Sequence, residues 1–282
     1  VRYHAPSRET VDAAIFEQQP FLDWVADYGD LLRGSAWPSL AEYDRLRLRV
    51  ESGDLIARPT FAAQTPELLA DGLHYEQRIA EGRLATREEN WHDLLNALVW
   101  LRYPRIKQAL NRAQVADIAK VGPRQRTRAQ CAMTHFDEAG AIVLVSDPDL
   151  VQRWDAHDWQ TLFFEQRDAW GKRINVLVFG HAVLEHALRN DSLLVAKSLV
   201  LRADASLVQR MAEPSTRERI DRRIADLIAS SSLLLDPQEL RPLPLSGIPG
   251  WHPGTESDAF YREAPCFRPV REGRLYPEVH DF

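Results

Sequence analysis

Pro237, Pro242, Pro244, Pro249, Pro253, Pro265, Pro269 and Pro277 place eight of the chain's 17 prolines after residue 235. Proline fixes φ and lacks the amide hydrogen that a helix interior or central strand requires, so long regular elements are not expected over residues 236–282. Yet Leu243, Leu245, Ile248, Trp251, Phe260, Tyr261, Phe267 and Tyr276 make the same stretch too apolar for a disordered tail. The combination predicts an irregular strap packed over a main body formed by residues 1–235. Trp251 is expected to anchor it, because an indole in an irregular apolar segment needs a pocket.

A chain of 282 residues buries roughly three quarters of its unfolded surface and needs neither disulfide nor metal to hold a core. No stretch approaches the ~18 consecutive apolar residues that would cross a bilayer. The net charge of −6 gives no general footprint for nucleic acid. Cys131 and Cys266 lie far apart, which suits a reducing compartment better than a secreted disulfide scaffold. Glu9, Asp12 and Glu17 near the start do not read as a signal peptide, so a cytoplasmic protein is expected, although the chain begins at Val1 rather than Met.

Apolar spacing predicts helices in Val11 to Leu32, broken at Pro20, and in Ser39 to Val50, with Arg58 to Phe61 extended. Thr65-Pro66 opens another helix reaching about Ala80. Thr86-x-x-Glu89 reads as a capping box that starts a helix from Arg87 to Leu101, which Pro104 ends or kinks. From Thr127 to Val145, two apolar runs flank Asp137-Glu138-Ala139-Gly140 and read as a β-hairpin. Helices follow near Asp149 to Trp154 and Trp159 to Trp170, then at His181 to Arg189 and Thr216 to Ala229. Ile174 to Phe179 is too short to classify, and Leu199 to Leu201 is a strand candidate. The expected architecture is α+β: a mostly helical single domain with a small antiparallel sheet and the Pro-rich strap.

Three polar constellations carry chemistry: Asn90 to Asn96, Thr134 to Glu138, and Phe179 to Glu185. His92 and Asn96 lie four residues apart, as do His181 and Glu185, so each pair shares a helical face. Imidazole and carboxylate at that spacing can hold a divalent cation or act as base and orienting partner. Each group also has a structural explanation: Asp93 pairing with an arginine, Asp137 and Glu138 serving a turn, His181 and Glu185 forming an ordinary surface pair. No G-x-S-x-G, Walker or G-x-G-x-x-G pattern is present. Cys131 reads as a small buried hydrophobe. Arg124, Arg126 and Arg128 form a basic loop that keeps a nucleic-acid surface open.

The run NWHDLLNALVWLRYP from Asn90 to Pro104, followed by Lys107 and Asn111, resembles a bacterial family known as domain of unknown function number three-zero-two-five. THFDEAG from Thr134 to Gly140, FGHAVLE from Phe179 to Glu185 and PLSGIPGW from Pro244 to Trp251 support the resemblance in the same order. It implies one nearly full-length family unit and carries over no activity. The sequence reading is a metal-assisted or acid/base hydrolase with a divalent metal as cofactor. In it His92, Asp93 and His181 hold metal, Asp137 and Glu185 move protons, and Asn96 and Glu138 contact substrate. The alternative is a non-catalytic binding or adaptor module, its partner a small molecule or macromolecule, nucleic acid among them.

Overall fold

The computed structural model describes residues 4–49, 59–189 and 191–282; Val1, Val50 and Arg58, which bear on the expectations above, lie outside them. In chain order the helices are α1 (Phe21–Arg33), α2 (Leu40–Arg49), α3 (Pro66–Leu69), α4 (Tyr75–Ala80), α5 (Trp91–Arg102), α6 (Pro104–Val121), α7 (Arg128–Ala139), α8 (Pro148–Asp155), α9 (His181–His186), α10 (Ala205–Gln209), α11 (Pro214–Ala229) and α12 (Asp258–Glu263). The strands are β1 (Thr60–Ala63), β2 (Arg83–Thr86), β3 (Gly140–Val145), β4 (Ile174–Val178), β5 (Val195–Arg202), β6 (Arg241–Pro244) and β7 (His280–Asp281). This is a mostly helical single domain with small sheets and a C-terminal strap without long elements. No helix among the described residues is long and apolar enough to cross a membrane.

The larger sheet runs β4-β3-β5-β6, with β7 also paired to β5. It is mixed rather than antiparallel throughout, because β3 and β5 run parallel while β3–β4 and β5–β6 are antiparallel. A parallel pair needs a long crossover, and here the chain from α8 to α9 supplies it. Strand β3 is buried at all six positions, covered on both faces. Its Ile142, Val143 and Leu144 contribute about 1.5–3 kcal/mol each on the area scale.

The expected hairpin around Asp137 to Gly140 is instead the end of helix α7 followed by β3. Thr127 accepts from the Gln130 backbone while Gln130 Oε1 accepts from the Thr127 backbone, a reciprocal cap that launches a helix. Gln130, Thr134 and Asp137 then recur at helical spacing. The cap expected at Thr86 and Glu89 does not form: Thr86 ends β2 opposite Ala63. Glu89 takes a positive φ of 53°, and Asn90 caps α5 by accepting from the Asp93 amide. Thr65 caps as expected, but only the short α3, and a turn at Gly72 separates it from α4.

The strap is more regular than its prolines suggest. Pro242 and Pro244 lie in β6 at the sheet edge, where a missing amide donor is tolerated. Trp154 Nε1 donates to the Pro242 carbonyl and Arg241 pairs with Asp155, tying β6 to α8. Trp159 Nε1 donates to the Arg268 carbonyl, and His157 contacts Arg268 and Tyr276. Trp251 packs against the core but is only half-buried, so these polar clamps share the anchoring expected of it.

Candidate metal centre

Two glycines bring the later constellations together. Gly140 O accepts from both Phe179 N and Gly180 N, and a Cβ at Gly180 would lie 2.3 Å from Gly140 N. Only glycine permits that approach. It sets Glu138, on the last turn of α7, beside His181, the first residue of α9. The stacked rings of Phe136 and Phe179, 4.6 Å apart, fill the space beneath. Helix α5 packs on α9 and delivers His92 from its first turn.

His92 Nε2 and His181 Nε2 lie 3.1 Å apart. Glu138 Oε2 is 3.4 Å from His181 Nε2 and 4.0 Å from His92 Nε2. Tetrahedral coordination with bonds of about 2.0–2.2 Å separates ligand atoms by roughly 3.3–3.5 Å, so this triangle is close to what one cation requires. It is the group of three or more ligating side chains found among the described residues.

His92 Nδ1 sits 2.9 Å from Glu185 Oε2. A carboxylate only accepts, so Nδ1 carries the hydrogen, and in the neutral form of the ring the Nε2 lone pair faces His181. This is the carboxylate–histidine arrangement that orients metal-bound imidazoles. Glu185 also holds His92 above its ordinary pKa, partly opposed by burial. His181 behaves oppositely: burial foremost, with the charges of Lys107 and His92, pulls it down to about 3. Its Nδ1 has no hydrogen-bond partner of good geometry, though the Asp137 backbone is near enough to favour its proton. Two ring nitrogens thus face one another at a spacing that one cation can bridge.

Burial raises the Asp137 pKa, but Lys107, His181, the Lys107 hydrogen bonds and His92 more than offset it, leaving the carboxyl below its usual range. Lys107 Nζ reaches Asp137 Oδ1 at 2.6 Å and Asn96 Oδ1 at 3.0 Å. Glu138 is pushed up, chiefly by burial.

A cavity of about 360 Å³ opens over this group, and His92, Asp93, Asn96, Asp137, Glu138 and His181 all line it. The three constellations therefore converge, in a grouping that differs from the expected one. Asp93 is engaged by the Arg87 side chain and backbone amide and stays outside the ligand triangle. Glu138, expected to touch substrate, lies inside it. Glu185 reaches across to His92 on another helix instead of pairing with His181 one turn away. Asn96 lines the cavity between Lys107 and Tyr75. Sequence reasoning did not select Lys107 or Tyr75; Lys107 was detectable from the polar row Lys107, Asn111, Gln114 along α6. Of the three basic-loop arginines, Arg126 lines the cavity and Arg128 pairs with Asp236.

A family model described as "Protein of unknown function (DUF3025)" matches residues 60–271, a span that contains every residue of the centre. No curated protein and no solved structure matches the chain.

Proposed function

The chain belongs to the DUF3025 family, whose description names no activity, and on its own geometry we propose that it is a metal-dependent hydrolase of a small molecule. His92, His181 and Glu138 hold a divalent cation, with zinc the best fit to two imidazoles and one carboxylate. The observation that carries the reading is the 3.1, 3.4 and 4.0 Å triangle of ligand atoms with Glu185 behind His92.

Such a cation supplies a Lewis acid and lowers the pKa of bound water to about 7. The chain's own residues do the rest. Asp137, kept ionised by Lys107 and facing the cavity, accepts the proton of the attacking water and returns it to the leaving group. Glu185 orients His92 rather than touching substrate. The cavity volume of about 360 Å³ lies near the lower end of small-ligand sites, which supports a small-molecule partner over a macromolecule. The pairing of Arg128 with Asp236 leaves the basic loop less suited to nucleic acid.

Elemental analysis of protein purified without metal-affinity resin tests the reading. Stoichiometric zinc in the wild type, lost in folded His92→Ala and His181→Ala variants, is the expected result. A wild-type protein that takes up no zinc, manganese or iron when supplied with each would end it and leave the polar cluster as a binding or structural network.

A further inference from the structure

The donors left open inside the cavity identify what it receives. Lys107 donates to Asn96 Oδ1, and an ammonium group cannot accept. The amide orientation is thereby fixed, and Asn96 Nδ2 donates to the Tyr75 hydroxyl at 3.1 Å. A phenol oxygen that accepts from Asn96 must turn its own proton elsewhere, and Tyr75 lines the cavity. Tyr75 is 36% exposed, and desolvation of its hydroxyl with the charges of Glu76 and Asp137 keeps the phenol protonated. The series Asp137, Lys107, Asn96, Tyr75 thus starts at the carboxylate beside the ligand triangle and ends in an O–H donor in the same cavity.

Arg126 lines that cavity too and forms no ion pair or hydrogen bond among the described residues. It lies close enough to His74, the neighbour of Tyr75, to add to the burial that disfavours a charged imidazole there. The other basic groups are matched: Arg87 by Asp93 and Lys107 by Asp137. With a divalent cation in the triangle, Glu138 and Glu185 offset its two charges. Glu76, the remaining carboxylate, is pushed toward its neutral form by burial and accepts from Asn111. Arg126 is then a cationic side chain of the lining with no carboxylate partner among the described residues, and it shares that lining with a phenol whose proton no described residue accepts.

Resting on the metal-site reading, we infer that the substrate carries an anionic oxygen group, phosphate or carboxylate, received by the Tyr75 hydroxyl and the Arg126 guanidinium beside the metal.

The test is calorimetric titration of zinc-loaded protein with inorganic phosphate, with acetate and with neutral acetamide, zinc being measured on the same samples. One of the two anions is expected to bind, which distinguishes the phosphate from the carboxylate source, and acetamide is not. Tyr75→Phe and Arg126→Gln are each expected to weaken that anion about tenfold, the loss of one hydrogen bond to a charged group, without changing zinc content. Arg126 is exposed, so Arg126→Gln keeps the test decisive even where Tyr75→Phe perturbs folding. Zinc-loaded protein that binds neither anion, or binds one equally well in both variants, overturns the inference and leaves the metal centre standing. A wild type that takes up none of zinc, manganese and iron overturns both.

Discussion

Helices α6 and α7 border two cavities that differ in which side chains meet on their walls. One face of α6, Ala109, Ala113 and Ala116, meets Ala129 and Met133 of α7 to line a cavity of about 540 Å³ shared with α11 and residues 231–235. The neighbouring rows, Gln114 and Ile118 on α6 with Gln130, Thr134, Asp137 and Glu138 on α7, line the smaller one of about 360 Å³. The larger cavity has charged groups such as Arg105, Arg112 and Asp226 on its walls, but no three ligating side chains meet there among the described residues. The smaller gains α5 and the start of α9, and with them His92 and His181. Volume is a poor marker of chemistry in this molecule; convergence of several elements on one point is the better one.

Lys107→Met removes the partner of Asp137 inside the polar wall. Breaking a buried pair costs about 3–5 kcal/mol, and the partial exposure of Asp137 lowers the expectation to about 2–3 kcal/mol, read from urea unfolding. A cost below about 0.5 kcal/mol would mean that the two walls are held by packing alone, and the contrast between the cavities would weaken.

Glu185→Gln keeps the shape of the side chain but removes the charge that orients His92. Zinc affinity, measured by chelator competition, should fall about 10- to 100-fold with the fold retained. Unchanged affinity would show that the triangle needs no outer support.

Acid should not discriminate between the two cavities. Hydrogen bonding from Arg78 holds Asp71, beside α4 at the polar cavity, at about 2. Arg128 does the same for Asp236 at the edge of the larger one. Both folded values lie below the unfolded value of about 3.9, so each pair's contribution is fully present above that pH. It is lost as pH falls through about 2. Carboxyl titrations followed by NMR should show both midpoints near 2, and a midpoint near 4 for either would separate them.

The smallest effect is expected from Ala113→Leu, which adds bulk to the larger cavity. Stability should change by less than about 1 kcal/mol, and zinc and anion binding not at all. A loss of zinc would show that the two faces of α6 are coupled.

Much of the helical framework was readable along the chain, because a proline or cap at a helix start acts locally. Helices α8 and α11 fall close to the expected Asp149 to Trp154 and Thr216 to Ala229, each opening on a proline, Pro148 and Pro214. The segment 128–139 was misread because Gln130 to Phe136 is short and apolar enough for a strand and Asp137 and Glu138 suit a turn. The Thr127–Gln130 cap was the competing signal. At Thr86 the reverse happened: the capping pattern is present, but pairing of β2 with β1 claims the threonine's backbone.

The candidate residues were nameable from the sequence, since imidazoles and carboxylates four apart on one turn advertise themselves at short range. Their partners were not. Residues four apart share a helix face whether or not they share a ligand. Here His92 found its carboxylate on α9, Glu138 replaced Asp93 in the triangle, and Lys107 came to Asp137 from a separate helix. Those pairings depend on the Gly140–Gly180 contact and the packing of α5 on α9. Contacts between residues some 90 positions apart are chosen by which faces the core buries, and local spacing carries no record of that choice.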